Sequence, residues 1–245
     1  MIGSLISRPE DVAAALDADP VAFAAHANQV LEGADPLTVL GWAGRAFGKS
    51  FVVTAAMGDT VLAHLTSRAV PGTDVLFVDT GYHFAETIGT VKAVEASYPV
   101  RMLSITPKQS VADHEAEWGK LHETDPDRCC ALRKVEPLNR ALAGYRAWAT
   151  GLRRDDSPER ADTPTVQWVE KRGMLKLAPI ATWTDDDVAA YADAHPDMLT
   201  NPLLQVGYTS VGCAPCTRAV QPGEDARAGR WAGRAKTECG IHYAI

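Results

Sequence analysis

Short apolar runs alternate with stretches of helical spacing through the middle of the chain. Phe51 to Thr54 is a β-branched and aromatic run leading into a loop, after which Val61, Leu62 and Leu65 share one face of a helix predicted over Thr60 to Arg68. Val75 to Val78 repeats the pattern. It is followed by a polar turn (Asp79-Thr80-Gly81) and a predicted helix from Phe84 to Tyr98, with apolar positions at Phe84, Ile88, Val91, Val94 and Tyr98. Val100 to Ile105 and Ala147 to Thr150 read as a third and a fourth strand. Strands alternating with helices predict right-handed βαβ units, hence an α/β fold with a parallel sheet covered on both faces.

The flanks are different. Residues 9 to 46 alternate Ala-rich stretches with Pro20 and Pro36, which predicts two or three short helices forming an N-terminal cap. Val166 to Val169 and Met174 to Leu177, separated by Lys171-Arg172-Gly173, read as a hairpin added near the sheet edge. Thr184 with Asp187 caps a helix that Pro196 ends. Beyond Asn201 the sequence is irregular and rich in Gly and Pro, and it holds three of the five cysteines. No internal repeat or low-complexity tract is visible.

With 245 residues and 46% hydrophobic composition, one substantial core is expected. A formal charge of −7 argues against broad, charge-driven binding to nucleic acid or an anionic membrane. Basic sites are therefore local. In the C-terminal segment Arg218, Arg227, Arg230, Arg234 and Lys236 outnumber Glu224, Asp225 and Glu238; a solvated surface is the alternative reading. The N-terminal residues lack a basic stretch followed by an apolar run and a cleavage site, and no segment reaches bilayer-spanning length, so a cytoplasmic protein is expected.

In an open parallel sheet, ligands sit beyond the carboxyl ends of the strands. Two strand-to-helix turns stand there, TAAMGDT (Thr54 to Thr60) and DTGYHF (Asp79 to Phe84). Neither is a Walker loop or a dinucleotide fingerprint, and ordinary connections would look the same. The stretch TGLRRDDSPERAD, Thr150 to Asp162, brings Arg153, Arg154 and Arg160 to a strand end, where guanidinium groups can bind phosphate or sulfate oxygens. Asp155, Asp156 and Glu159 would instead neutralise them in a plain charged loop.

Four cysteines form two pairs, Cys129-Cys130 and Cys213-Ala-Pro-Cys216, while Cys239 stands alone near the end. In a reducing compartment such pairs point to a metal site or redox chemistry rather than to structural disulfides. Adjacent helical side chains diverge, so Cys129 and Cys130 reach a single zinc ion only with strain, whereas an iron–sulfur cube accepts thiolates from divergent directions. Cys239, beside Gly240 and close in sequence to Arg234, Lys236 and His242, has the setting of a nucleophilic thiolate on a swinging tail; an incidental terminal cysteine is the alternative.

Taken together, CCALRKVEPL (Cys129 to Leu138), TGLRRDDSPERAD, GCAPCTR (Gly212 to Arg218), RAGRW (Arg227 to Trp231) and ECGIH (Glu238 to His242) resemble the assimilatory sulfonucleotide reductases, most closely the iron–sulfur adenylyl-sulfate (APS) reductases. DTGYHFAET is similar to that family's second nucleotide loop. The resemblance runs from Phe51 to His242. It implies an adenine-nucleotide α-hydrolase-like fold and thioredoxin-dependent reduction of APS to sulfite and AMP, with 3′-phosphoadenylyl sulfate (PAPS) as the alternative substrate.

It further implies a 4Fe-4S cluster on Cys129, Cys130, Cys213 and Cys216, and Cys239 as the residue that becomes S-sulfonated. Lys134 would lie between cluster and sulfate, and His242 would orient the tail or assist the thiol. Arg227 and Arg230 would hold the phosphosulfate; Arg160 and the loops at Thr54, Asp59, Asp79, Thr80 and Gly81 would hold the nucleotide. The expected organisation is a helical cap over 1–48, a nucleotide-binding α/β domain with the iron–sulfur site over 49–217, and a mobile catalytic tail over 218–245. The family's first loop commonly reads S-F-G-A-E-D, whereas Thr54 to Asp59 reads TAAMGD: Asp59 is kept, the glycine is displaced and the preceding acid is missing. The sequence leaves the oligomeric state open, self-association included.

Overall fold

The computed structural model describes residues 8–238, Gly240 and Ile241. Three helices lead in, α1 (Pro9–Ala18), α2 (Pro20–Leu31) and α3 (Pro36–Phe47), each with a proline in its first turn, where the missing N–H costs nothing. Asp19 and Asp35 accept backbone N–H bonds at the starts of α2 and α3. Strands and helices then alternate: β1 (Phe51–Thr54), α4 (Val61–Ala69), β2 (Asp74–Val78), α5 (Ala85–Ser97) and β3 (Arg101–Ile105). Helices α6 (Val111–Trp118), α7 (Leu121–Thr124), α8 (Pro126–Cys130) and α9 (Glu136–Leu142) precede β4 (Ala147–Thr150). The hairpin β5 (Val166–Val169) and β6 (Met174–Leu177) and helix α10 (Asp185–Ala194) complete the regular elements.

The six strands lie in the order β3-β2-β1-β4-β6-β5. Every pairing is parallel except β5 with β6, as expected of a hairpin at the edge. Side chains alternate between two cores, as period two requires. Val53, Val75, Phe77, Ala149 and Leu175 pack with α3, α4 and α5 on one face. On the other, Val52, Leu76, Trp148 and Met174 meet Leu138 and Leu142 of α9. Both faces are therefore covered, which explains why these strands read as continuous apolar runs.

The free side of β5 is closed by the cap: Asn28 of α2 accepts the Val166 backbone N–H through Oδ1 at 2.9 Å, and Glu32 accepts Arg154 and Thr165. From β1 the chain winds outward through β2 and β3, then returns so that β4 lies on the other side of β1. The winding direction reverses between β1 and β4, where open α/β sheets leave a crevice. Among the described residues no helix is long and apolar enough to cross a membrane.

Candidate active site

That crevice is a cleft of about 510 Å³, within the range of small-molecule sites. Thr54 to Asp59 and Gly151 to Arg153, which follow the two central strands, line it. Trp148 donates its indole N–H to Thr54 Oγ1 at 2.8 Å, and Asp59 accepts the Val61 N–H at 3.1 Å at the entry to α4. The displaced glycine has a structural counterpart. Met57 takes a positive φ of 55° and is held by Asn201, whose Nδ2 donates to its carbonyl at 2.8 Å.

Leu62, Leu152 and Ile180 give the cleft apolar surface, and five cations line it as well: Lys134, Arg153, Arg160, Arg227 and Arg230. Arg153 meets Asp156 at 2.9 Å and Asp185 at 2.7 Å. Arg230 donates from Nη1 to Ser210 Oγ at 3.3 Å and lies over the Trp231 ring at 4.5 Å. Gly212 makes room for that guanidinium, since a Cβ there would stand 2.4 Å from Arg230 Nη2. Arg160 and Arg227 both meet Glu238, at 2.7 and 3.1 Å.

Beside the cleft, one pocket is lined by Cys129, Cys130, Cys213 and Cys216. Cys129 and Cys130 end α8, and the other two flank a single turn, Ala214–Cys216. Loop 79–84 holds that turn: Ala214 N–H donates to the Tyr82 carbonyl at 2.7 Å, and Thr80 Oγ1 lies 3.2 Å from Cys213 Sγ. All four thiols are free of disulfides. Burial pushes the Cys129 thiol up to about 12, the neighbouring thiols add to the effect, and Lys134 opposes it. Cys216 is raised by burial and by Cys213 against Lys134, Arg230 and Arg234. Four thiolates packed so closely would need a positive centre among them.

A π turn, Ala131–Val135, follows α8 directly. It buries Arg133 and Lys134. Lys134 and Trp231 line both the thiol pocket and the cleft and so form the wall between them. Trp231 has a positive φ of 46°; with Met57 it is one of two non-glycine residues in that region among those described, and both border the site.

The structure gathers Thr54, Asp59, Lys134, Arg160, Arg227 and Arg230 around one cleft. Of the second loop, His83 lines the cleft. Asp79, Thr80 and Gly81, expected at the nucleotide, are absent from the cleft lining; Thr80 faces the thiols, Asp79 accepts the Gly81 N–H at 2.9 Å, and Arg133 pins the Thr80 carbonyl at 2.7 Å. Arg234 and Lys236, linked by sequence proximity to Cys239, instead hold the Glu123 carbonyl and Asp127 on α7 and α8. Cys239 and His242 lie outside the described residues. Spacing gave no signal for Trp231 or Asn201. Glu238 could have been suspected as a buried anion only from the cations that surround it.

Comparison with known proteins agrees with this arrangement. The chain is 62% identical to an adenosine 5′-phosphosulfate reductase of Streptomyces coelicolor, covering 90% of this chain and 94% of that one. It is 48% identical to another from Rhodococcus opacus, covering 95% and 98%. Among solved structures, the PAPS reductase of Candida auris superposes with a TM-score of 0.68 at 30% identity, covering 81% of this chain and 96% of that one. Residues 50–219 match the phosphoadenosine phosphosulfate reductase domain, and the chain belongs to that family.

Proposed function

We propose that this protein reduces adenylyl sulfate to sulfite and AMP through an S-sulfonated Cys239, with thioredoxin as the reductant, in the cytoplasmic assimilation of sulfate towards cysteine. The observation that carries this reading is Lys134 in the wall between the four-thiol pocket and a cleft that is cationic and apolar at once. Apolar side chains suit an adenine ring, and Arg160, Arg227 and Arg230 suit the phosphosulfate. The relatives' names add weight to APS over PAPS.

The thiol set fits a 4Fe-4S cluster. Four thiols without disulfides line one pocket. Bound there by Cys129, Cys130, Cys213 and Cys216, the cluster would supply a fixed charge distribution beside Lys134 rather than electrons for the substrate.

The chemistry belongs to the chain's own groups. The Cys239 thiolate attacks the sulfuryl sulfur, an S–S bond forms, and the bond from sulfur to the bridging phosphate oxygen breaks, its electron pair leaving with AMP. Lys134, Arg227 and Arg230 offset the repulsion between thiolate and sulfate. A thioredoxin thiolate then attacks Cys239 Sγ; sulfite leaves with the S–S electron pair, and the second thioredoxin thiol resolves the mixed disulfide. Intact-mass analysis of reduced protein mixed with APS tests the reading. One added sulfonate mapping to Cys239 is expected, and an adduct elsewhere, or one formed faster from PAPS, overturns it.

A further inference from the structure

Glu238 is the residue before the thiol assigned to the reaction, and it is buried against two guanidinium groups. Arg160 grips it as a fork, Nε to Oε1 at 2.7 Å and Nη2 to Oε2 at 2.9 Å. Arg227 adds a contact at 3.1 Å. The side chains of Glu238, Arg160 and Arg227 are 5%, 12% and 16% exposed. A carboxylate so held is a close chemical analogue of a bound phosphate or sulfate oxygen pair.

The charge inventory sharpens the point. The five cations of the cleft face five acids, Asp59, Asp155, Asp156, Asp185 and Glu238. A doubly anionic phosphosulfate entering such a balanced site gains little until one carboxylate leaves. Asp156 also meets Arg160, at 2.6 Å, but it is fixed at a second place, accepting the Arg153 backbone N–H at 3.1 Å, whereas the Glu238 carboxylate meets Arg160 and Arg227 from outside that loop. Glu238 is thus the acid that can withdraw without unfolding the loop that carries Arg160.

Resting on the reading above, we propose that Glu238 is an internal counterion which the substrate displaces. Its carboxylate neutralises Arg227 and, together with Asp156, Arg160, guanidinium groups that are costly to bury without counter-charge. The incoming anion takes over the guanidinium groups and expels the Glu238 carboxylate from them. When AMP is left, the carboxylate returns and competes it out. Glu238 is a positioning residue: it acts through the two arginines and not on the reacting atoms.

Calorimetric titration of the cluster-loaded protein with AMP, comparing wild type, Glu238→Gln and Glu238→Asp, tests this. The glutamine variant should bind AMP about tenfold more tightly, because the self-competition is removed, and the aspartate variant should stay near wild type. A purely structural carboxylate predicts the reverse, and equal or weaker binding by Glu238→Gln overturns the proposal. Hydrogen–deuterium exchange of the wild type gives a readout that does not depend on a variant folding. Adding AMP should speed exchange over residues 237–241; slowed or unchanged exchange overturns the proposal. A wild type that binds neither AMP nor APS overturns the functional reading as well, whereas one that binds both, without tightening in Glu238→Gln, sinks the counterion role alone.

Discussion

Arg133 donates from Nε to the Thr80 carbonyl at 2.7 Å, tying the π turn after the cysteine pair to the loop after β2. Its guanidinium also lies over the Tyr82 ring at 5.1 Å. Of the two consecutive cations, one braces the pocket and the other, Lys134, stands between the pocket and the cleft.

Replacing Arg133 with Met should therefore act on the framework. A buried carbonyl loses a charged donor, which costs about 2–3 kcal/mol. Thermal unfolding should show the loss, and iron per chain should fall with it; full iron content at unchanged stability would contradict this assignment.

Lys134→Ala should leave iron content intact while slowing S-sulfonation of Cys239 by about a hundredfold and weakening APS binding. Single-turnover kinetics followed by mass spectrometry is the check, and unchanged kinetics would remove Lys134 from the site.

Cys239→Ser separates the two kinds of sulfur. Iron absorption should persist while sulfite production vanishes, and turnover by this variant would refute the covalent step.

Gly212→Ala probes Arg230. The added methyl would meet the far end of a flexible side chain, so stability should change by less than about 1 kcal/mol. The guanidinium must swing aside, and KM for APS should rise. A severe stability loss at unaltered KM would mean that Arg230 is a structural strut.

At the amino-terminal end of the sheet, Arg101 chiefly, with Tyr145, holds the Asp74 carboxyl below its ordinary range. A carboxylate depressed in the folded state stabilises above its unfolded pKa, and that contribution disappears as pH falls through the folded value. Asp74→Asn should thus cost about 1 kcal/mol at neutral pH, no more because Arg101 is largely exposed and screened, and progressively less below about pH 4. Denaturant melts at pH 7 and pH 3 decide it: an equal cost at both would exclude the charge as its origin.

Much of the fold was legible because period-two and helical spacing are local properties. Phe51 to Thr54, Ala147 to Thr150 and the Val166/Met174 hairpin fall where the pattern placed them. The Thr184–Asp187 capping box is present as read. What spacing could not supply was direction in space. Nothing in Asp79-Thr80-Gly81 says that this turn bends towards the thiols, since the Arg133 bond and the strand-like bridge between His83 and Cys213 join distant parts of the chain. Likewise Arg133 and Lys134 look equivalent in sequence, and only the π turn assigns them different neighbours.

The contact between Asn28 and Val166 has a bearing on the outer edge of the sheet. A side-chain amide stands where a seventh strand would otherwise offer its carbonyl, so the terminal ribbon of the sheet finds its partner within its own molecule. Strip away the leading helices and that ribbon becomes an open template for edge-to-edge aggregation, whatever the state of the catalytic machinery.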